Sequence, residues 1–387
     1  MARLLYFAIL KAGETVTDEE YMQMALDLAE KARGCTSPNP MVGCVIVNPE
    51  GKIVGKGYHH KAGQPHAEIM AMRDAGDQVE GCTAYVTLEP CSHYGRTGPC
   101  CEALIKAGIK KVVAAADDPN PKVSGRGFAR LQEAGVEVVR GVLADKANRQ
   151  NEVFMHWMKT GRPFVALKYA MTLDGKVATR EGLSRWVTGE AARRRVHEDR
   201  HRHAGVMVGV GTALADDPLL TCRLDGREVS QPARVVVDAA ARLPLESQLV
   251  RTASEAPVIV AVAEGALLAR RNALAERGCA VVAVPAREGR VDPRILMELL
   301  WQRFSLDSLI VEGGPTLLGS LFDEGLVDRV QAYIAPKIFG GLEALGPVAG
   351  RGAGDPADAP VLSEVSLQMM GGDVLLEGRL QPCSPVS

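Results

Sequence analysis

The chain has 387 residues, of which 47% are hydrophobic, 24% charged and 4% aromatic. At about 150 residues per domain this length suits two domains. A net charge of −2 and few aromatics disfavour a non-specific nucleic-acid binder, which needs a basic face and stacking platforms.

Leu4 to Leu10 is an apolar run too short to span a bilayer, and no later run reaches the required length of about 18 residues. No membrane partner and a cytoplasmic setting are therefore expected. Six of the nine cysteines precede residue 102. In a long chain with an odd count, such clustering points to metal or catalysis rather than to a disulfide framework.

Residues 1–16 read as an extension. Thr17 is a helix N-cap before Asp18, Glu19 and Glu20, and the helix runs to Gly34. Val42–Val47 and Lys52–Tyr58 form a hairpin about Asn48-Pro49-Glu50-Gly51. Helices are then expected at His66–Ala75, Pro99–Ala107 and Gly127–Ala134. Strands are expected at Thr83–Thr87, Lys111–Ala115 and Val136–Arg140. One helix, Asp145–Thr160, closes an α/β sandwich at a boundary near Gly161, giving units 17–161 and 162–387.

A second α/β series follows. Its strands are Phe164–Lys168, Val206–Val210, Arg234–Asp238, Val258–Val262, Ala280–Val284 and Ser308–Val311. Its helices are Glu190–His203, Ala266–Arg277 and Pro293–Phe304. Gly-, Ala-, Asp- and Pro-rich residues from Arg351 to Pro360 form a loop.

The segments His66-Ala67-Glu68, Glu89-Pro90-Cys91 and Pro99-Cys100-Cys101 carry the chemistry. One imidazole and two thiolates suit Zn2+. Helix starts after Pro90 and Pro99 would favour the thiolate forms of Cys91 and Cys100. Three ligands, His66, Cys91 and Cys100, leave a position for water, and Glu68 can move its proton. Cys101 or His93 as a fourth ligand would instead close the site and make it structural. Cys101, Cys35, Cys44 and Cys82 read as buried residues.

The H-x-E and P-C pattern resembles the zinc-dependent cytidine/deoxycytidylate-type deaminases, although Cys91 and Cys100 are spaced more widely than C-x-x-C. The runs TLEPCSHYGRTGPC, SPNPMVG and DPNPKVSGRG resemble more closely the bifunctional deaminase/reductase family of riboflavin biosynthesis. That resemblance implies that Asn39 contacts a pyrimidine, and it makes His59 and Lys61 candidates for a sugar phosphate. Asp118 and Asn120 lie on loops nearby.

Spacing alone says less about the second half. Gly209-Val210-Gly211 is an incomplete dinucleotide fingerprint, and Glu312-Gly313-Gly314-Pro315-Thr316 is a strand-to-helix turn that could admit a phosphate. The segments LKYAMTLDGKVA, SRWVT, LADDPLLTCR and EGGPTLL are similar to the reductase half of the same family. The implied fold is a cytidine-deaminase-like α/β/α sandwich followed by a dihydrofolate-reductase-like α/β domain. The resemblance implies NADPH against Ala170, Trp186, Thr212, Asp216, Gly313, Gly314 and Thr316. It implies a ribosyl phosphate against Ser184, Arg200, Leu220, Arg223 and Glu312, with Lys168 nearby. The expected partners are pyrimidine ribosyl phosphates, with no nucleic acid, in a homo-oligomer. A nucleic-acid or nucleoside deaminase, or a binding protein with a structural zinc, are the alternative readings.

Overall fold

A computed structural model describes residues 16–94, 98–121, 123–226 and 229–380. The extension expected over residues 1–16 lies almost wholly outside them. The chain divides into two compact units, 1–159 and 160–387.

The first unit begins with α1 (Asp18–Glu30), started by a reciprocal cap. The Thr17 hydroxyl accepts from the Glu20 amide, and the Glu20 carboxylate accepts from the Thr17 amide. There follow β1 (Gly43–Val47), β2 (Ile53–Tyr58), α2 (Ala67–Ala75), β3 (Thr83–Leu88), α3 (Cys100–Lys106), β4 (Lys111–Ala116), α4 (Arg126–Glu133) and β5 (Glu137–Arg140). The sheet order is β2-β1-β3-β4-β5. β1 runs antiparallel to β2 and β3, while β3, β4 and β5 are parallel. Ala67, Ala71, Cys101, Leu104, Phe128 and Leu131 from α2, α3 and α4 fill one face. Met22, Ala25, Ala147 and Phe154 fill the other. The expected three-layer sandwich is present.

Two local expectations fail. The helix expected over 145–160 is two helices, α5 (Ala144–Gln150) and α6 (Glu152–Thr160). Asn151 leaves helical geometry at φ −105°, ψ 26°, because its side chain bonds elsewhere. Cys35, expected in the core, is exposed on the turns after α1, whereas Cys44 and Cys82 are buried.

The second unit contains β6 (Phe164–Thr172), α7 (Glu190–Arg202), β7 (Gly205–Gly209), α8 (Val210–Asp216), β8 (Ala233–Val237), α9 (Gln248–Arg251), β9 (Val258–Ala263), α10 (Leu268–Glu276) and β10 (Ala280–Val284). A small ribbon, β11 (Ala286–Arg287) and β12 (Arg290–Val291), leads to α11 (Pro293–Phe304), β13 (Ser308–Val311), α12 (Pro315–Asp323), β14 (Arg329–Ala335), β15 (Leu362–Met370) and β16 (Asp373–Leu380). Nine strands form one sheet in the order β10-β9-β8-β7-β13-β6-β14-β16-β15. The strands from β10 through β14 are parallel, and β16 and β15 return antiparallel. Apolar clusters cover the parallel part on both faces. The strand β14 continues the βα alternation after α12 but is not among those expected, and β15 and β16 lie beyond that pattern.

Candidate functional sites

The first site starts from how closely α2 lies on β2. A Cβ on Gly57 would stand 2.3 Å from the Ala71 nitrogen and 2.5 Å from the Ala67 carbonyl oxygen. Only glycine permits that approach. It sets the first turn of α2, with His66 at the N-cap and Glu68 within that turn.

Cys91 follows β3 in irregular chain, not at a helix start as expected, and Cys100 opens α3. The His66 Nδ1 atom stands 3.6 Å from Cys91 Sγ and 3.3 Å from Cys100 Sγ. The three candidate ligand atoms lie within 4.8 Å of one another. Tetrahedral zinc bonds to nitrogen and sulfur place such atoms about 3.5 Å apart, so the donor set fits zinc in both size and chemistry. Neither Cys101 nor His93 belongs to this group. Cys101 is wholly buried in the core, and exposed His93 lines the adjoining cavity.

Electrostatics follow from the crowding. The hydrogen bond from the Cys100 thiol, with that from His66, holds Cys91 down to about 4, while Cys100 is pushed up. Burial, with the Cys91 sulfur, raises Glu68 to about 7. Its Oε2 is buried with no hydrogen-bond partner among the described residues. An unpartnered carboxylate oxygen beside three donor atoms is suited to exchanging a proton with a water held there.

A cavity of about 230 Å³ opens on these groups. Asn39 Nδ2 lies 3.1 Å from His59 Nε2, and His59 Nδ1 lies 3.1 Å from the Pro65 carbonyl oxygen. Nδ1 therefore carries the proton, and Nε2 accepts from Asn39, which leaves the Asn39 oxygen free to face a ligand. Burial lowers the pKa of His59. His59 is buried, while Lys61 is exposed. Asp118, raised to about 6 by burial, and Asn120 complete the polar wall.

Two contributions were not read in the sequence. Phe154, Trp157 and Met158 of α6 form the apolar wall. Buried Glu89 binds the loop behind Cys91: its carboxylate accepts from the Gly125 and Gly127 amides, each at 3.0 Å, and from the Asp118 amide at 3.4 Å. At Gly127 a Cβ would meet the Pro90 carbonyl oxygen at 2.1 Å, so glycine alone lets this loop close.

The second unit holds a cavity of about 870 Å³. Thr212, Asp216, Gly314, Thr316 and Ser184 line it, whereas Ala170, Trp186 and Gly313 do not. Ala170 packs against Ala192, Val196, Tyr333 and Leu375. Trp186 is 64% exposed beneath the Arg193 guanidinium.

Nearby, Glu312 accepts from Arg200 Nε at 2.6 Å and Nη2 at 2.9 Å. Burial would raise Glu312, but Arg200 outweighs it and holds the carboxyl down. Lys168, whose pKa burial lowers, stands near both. Leu220 is buried in the left-handed region at φ 55°. Arg223 donates to Thr221 Oγ1 at 2.7 Å and lies 3.4 Å from His197 Nε2.

Comparison with known proteins agrees with this division. The cytidine and deoxycytidylate deaminase zinc-binding region matches residues 15–116, and the RibD C-terminal domain matches residues 163–376. The fold and the sites define an enzyme with a deaminase half and a reductase half. The chain is 46% identical over 364 residues to the riboflavin biosynthesis protein RibD of Actinobacillus pleuropneumoniae, covering 94% of this chain and 96% of that one. It is 42% identical to Escherichia coli RibD, covering 93% and 98%. Acinetobacter baumannii RibD superposes with a TM-score of 0.84 at 38% identity, covering 94% and 99%. A Thermotoga maritima diaminohydroxyphosphoribosylaminopyrimidine deaminase/5-amino-6-(5-phosphoribosylamino)uracil reductase gives 0.81 at 36%, covering 95% and 99%. The chain belongs to the RibD family, the bifunctional deaminase/reductases of riboflavin biosynthesis. The expected fold class and enzyme class are borne out.

Proposed function

We propose that residues 17–161 hydrolytically deaminate 2,5-diamino-6-(5-phosphoribosylamino)pyrimidin-4-one, and that residues 162–387 reduce the ribosyl group of the product to ribityl with NADPH. The observation that carries the first half is the convergence of His66 Nδ1 and the Cys91 and Cys100 sulfurs beside Glu68, whose Oε2 is buried without a hydrogen-bond partner among the described residues. The substrate class is supported by the name of the Thermotoga relative.

His66, Cys91 and Cys100 would hold a zinc ion, which supplies Lewis acidity that brings the pKa of water toward neutrality. Glu68 takes a proton from the attacking water and delivers it to the departing amine. Its pKa of about 7 suits both directions of transfer. Asn39 presents an amide oxygen to the pyrimidine, fixed by His59. The α6 wall excludes water from the base.

In the second unit NADPH supplies the hydride when bound. Thr212, Asp216, Gly314 and Thr316 would hold it, with the two residues Ala170 and Trp186 and the Gly313 backbone bordering the nicotinamide. Lys168, Arg200, Leu220 and Glu312 would face the opened sugar, and Ser184 and Arg223 the phosphate. The Arg200–Glu312 pair keeps that pocket charged yet internally neutralised.

Among the described residues no helix is long and apolar enough to cross a membrane. We place the enzyme in the cytoplasm, as a homo-oligomer that binds small molecules and not nucleic acid.

One assay tests the whole reading. The protein is incubated with the pyrimidine substrate, with and without NADPH. Ammonia release that does not need NADPH, followed by NADPH oxidation, is expected. Activity confined to cytidine or adenosine would overturn it.

A further inference from the structure

We propose that Arg242 and Arg290 bind the 2′-phosphate of NADPH and so select the phosphorylated dinucleotide over NADH. This rests on the reading of the 870 Å³ cavity as the dinucleotide site.

The sheet order sets the direction of the ligand. The cavity is lined after β13 by Gly314, after β7 by Val210 to Thr212, at the end of β8 by Val237 and Ala239, and past β10 by Gly289 to Val291. In the sheet these strands succeed one another outward from β6. The cavity thus follows the carboxyl ends of the parallel strands, where open α/β sheets bind ligands. Lys168 on β6, and Glu312 directly after β13, mark the sugar end. Hydride transfer requires the nicotinamide there, so the adenosine end lies toward β8 and β10.

Two arginines line that far end. Arg242 is 59% exposed, and it faces Asp238 at 3.7 Å, beyond hydrogen-bond range. Arg290 is exposed on the β11–β12 ribbon, and its guanidinium has no partner among the described residues. Its cross-strand neighbour Arg287 differs, being 3.2 Å from Glu324. At the sugar end Arg185 is engaged by Asp216, donating to its carbonyl oxygen at 2.7 Å. The unpaired Arg290 and the loosely paired Arg242 therefore place available positive charge at the adenosine end.

The carboxylate arrangement argues the same way. NAD-selective sites use an acidic side chain near a strand end to bind the ribose hydroxyls. Asp238 follows β8, but it is wholly buried, and its Oδ2 accepts from the Leu243 amide at 2.8 Å. It is committed to the turn and does not line the cavity. Two guanidinium forks, one unpaired and the other only loosely paired with a buried carboxylate at 3.7 Å, suit a phosphate dianion.

The test measures binding without turnover, by fluorescence of the reduced cofactor, for wild type, Arg242→Ala, Arg290→Ala and the double variant. Each single change is expected to weaken NADPH about tenfold and the double about a hundredfold, with NADH unchanged. The fragment 2′,5′-ADP should compete better than 5′-AMP against the wild type and lose that advantage in the double variant. A parallel fall for both cofactors, or no fall for either, overturns the proposal, as does a wild type that binds them equally. A wild type that binds neither dinucleotide sinks the cofactor reading itself, and the proposal with it.

Discussion

Asn151 closes a two-way hydrogen bond on the backbone of Met41: its Oδ1 accepts from the Met41 amide and its Nδ2 donates to the Met41 carbonyl, both at 2.8 Å. The contact spans 110 positions of sequence. It ties the α5–α6 break to the Pro38-Asn39-Pro40 segment, so both walls of the first cavity are fixed against each other.

Asn151→Ala leaves a buried amide and a buried carbonyl unsatisfied. It should destabilise the first unit by about 2–4 kcal/mol. It should also raise the deaminase KM more than it lowers kcat, because the wall shifts while Glu68 does not. Calorimetry and steady-state ammonia release check the two effects.

Glu68→Gln should lower deamination by about a hundredfold or more, which is the scale of lost general acid–base catalysis. Zinc content, read by atomic absorption, should remain near that of the wild type. Reduction of supplied deaminated substrate should also remain, since Glu68 lies in the other unit.

Cys100→Ser should abolish zinc retention, whereas Cys101→Ser should keep it. Cys101 is a core residue, so its variant carries only a packing defect. Loss of metal in Cys101→Ser with retention in Cys100→Ser would reassign the ligand.

Glu312→Ala strands the buried Arg200 charge, at a cost of about 3–5 kcal/mol. Reductase activity should disappear while ammonia release persists. Glu312→Gln keeps one acceptor and should fold better than Glu312→Ala while remaining impaired in reduction. Separate melting of the two units and the two assays distinguish these outcomes.

His197 gives a pH signature. Burial, with the Arg200 and Arg223 charges, lowers it to about 4 from an ordinary 6.5. Between those values the unfolded chain holds a proton that the folded chain does not. Stability from this residue is thus complete above pH 6.5 and lost as pH falls toward 4. His197→Gln should flatten the acid limb of the stability profile and leave pH 8 unaffected. Urea titrations across the range check it.

The metal donors were legible because His66, Cys91 and Cys100 fall within a short stretch marked by proline and glutamate. The parallel strands were legible as runs of valine and alanine bounded by helices. Asn151 was hidden inside a segment with good helical periodicity, since its partner Met41 lies far away in sequence. Trp157 and Met158 read as amphipathic helix residues, and nothing local shows that they border a cavity. Arg242 lies in the loop after β8 and Arg290 on β12, and only the cavity brings them to notice. The strand β14 still follows a helix, α12, but β15 and β16 come after the long loop beyond Ala335 and break the alternation by which the earlier strands were recognised.

The pairing of β6 also sets an order of events during synthesis. Phe164–Thr172 lies between Ser308–Val311 and Arg329–Ala335 in the sheet. The first strand of the second unit therefore emerges from the ribosome long before either neighbour exists. The first unit has every strand of its sheet by Arg140 and its last helix by Thr160. Domains fold in turn as the chain is made, and long-range parallel pairing is slow. The deaminase half can assemble early, while the apolar β6 stays unpaired until most of the chain has been translated. That interval is when a chaperone would be of most use to the nascent protein.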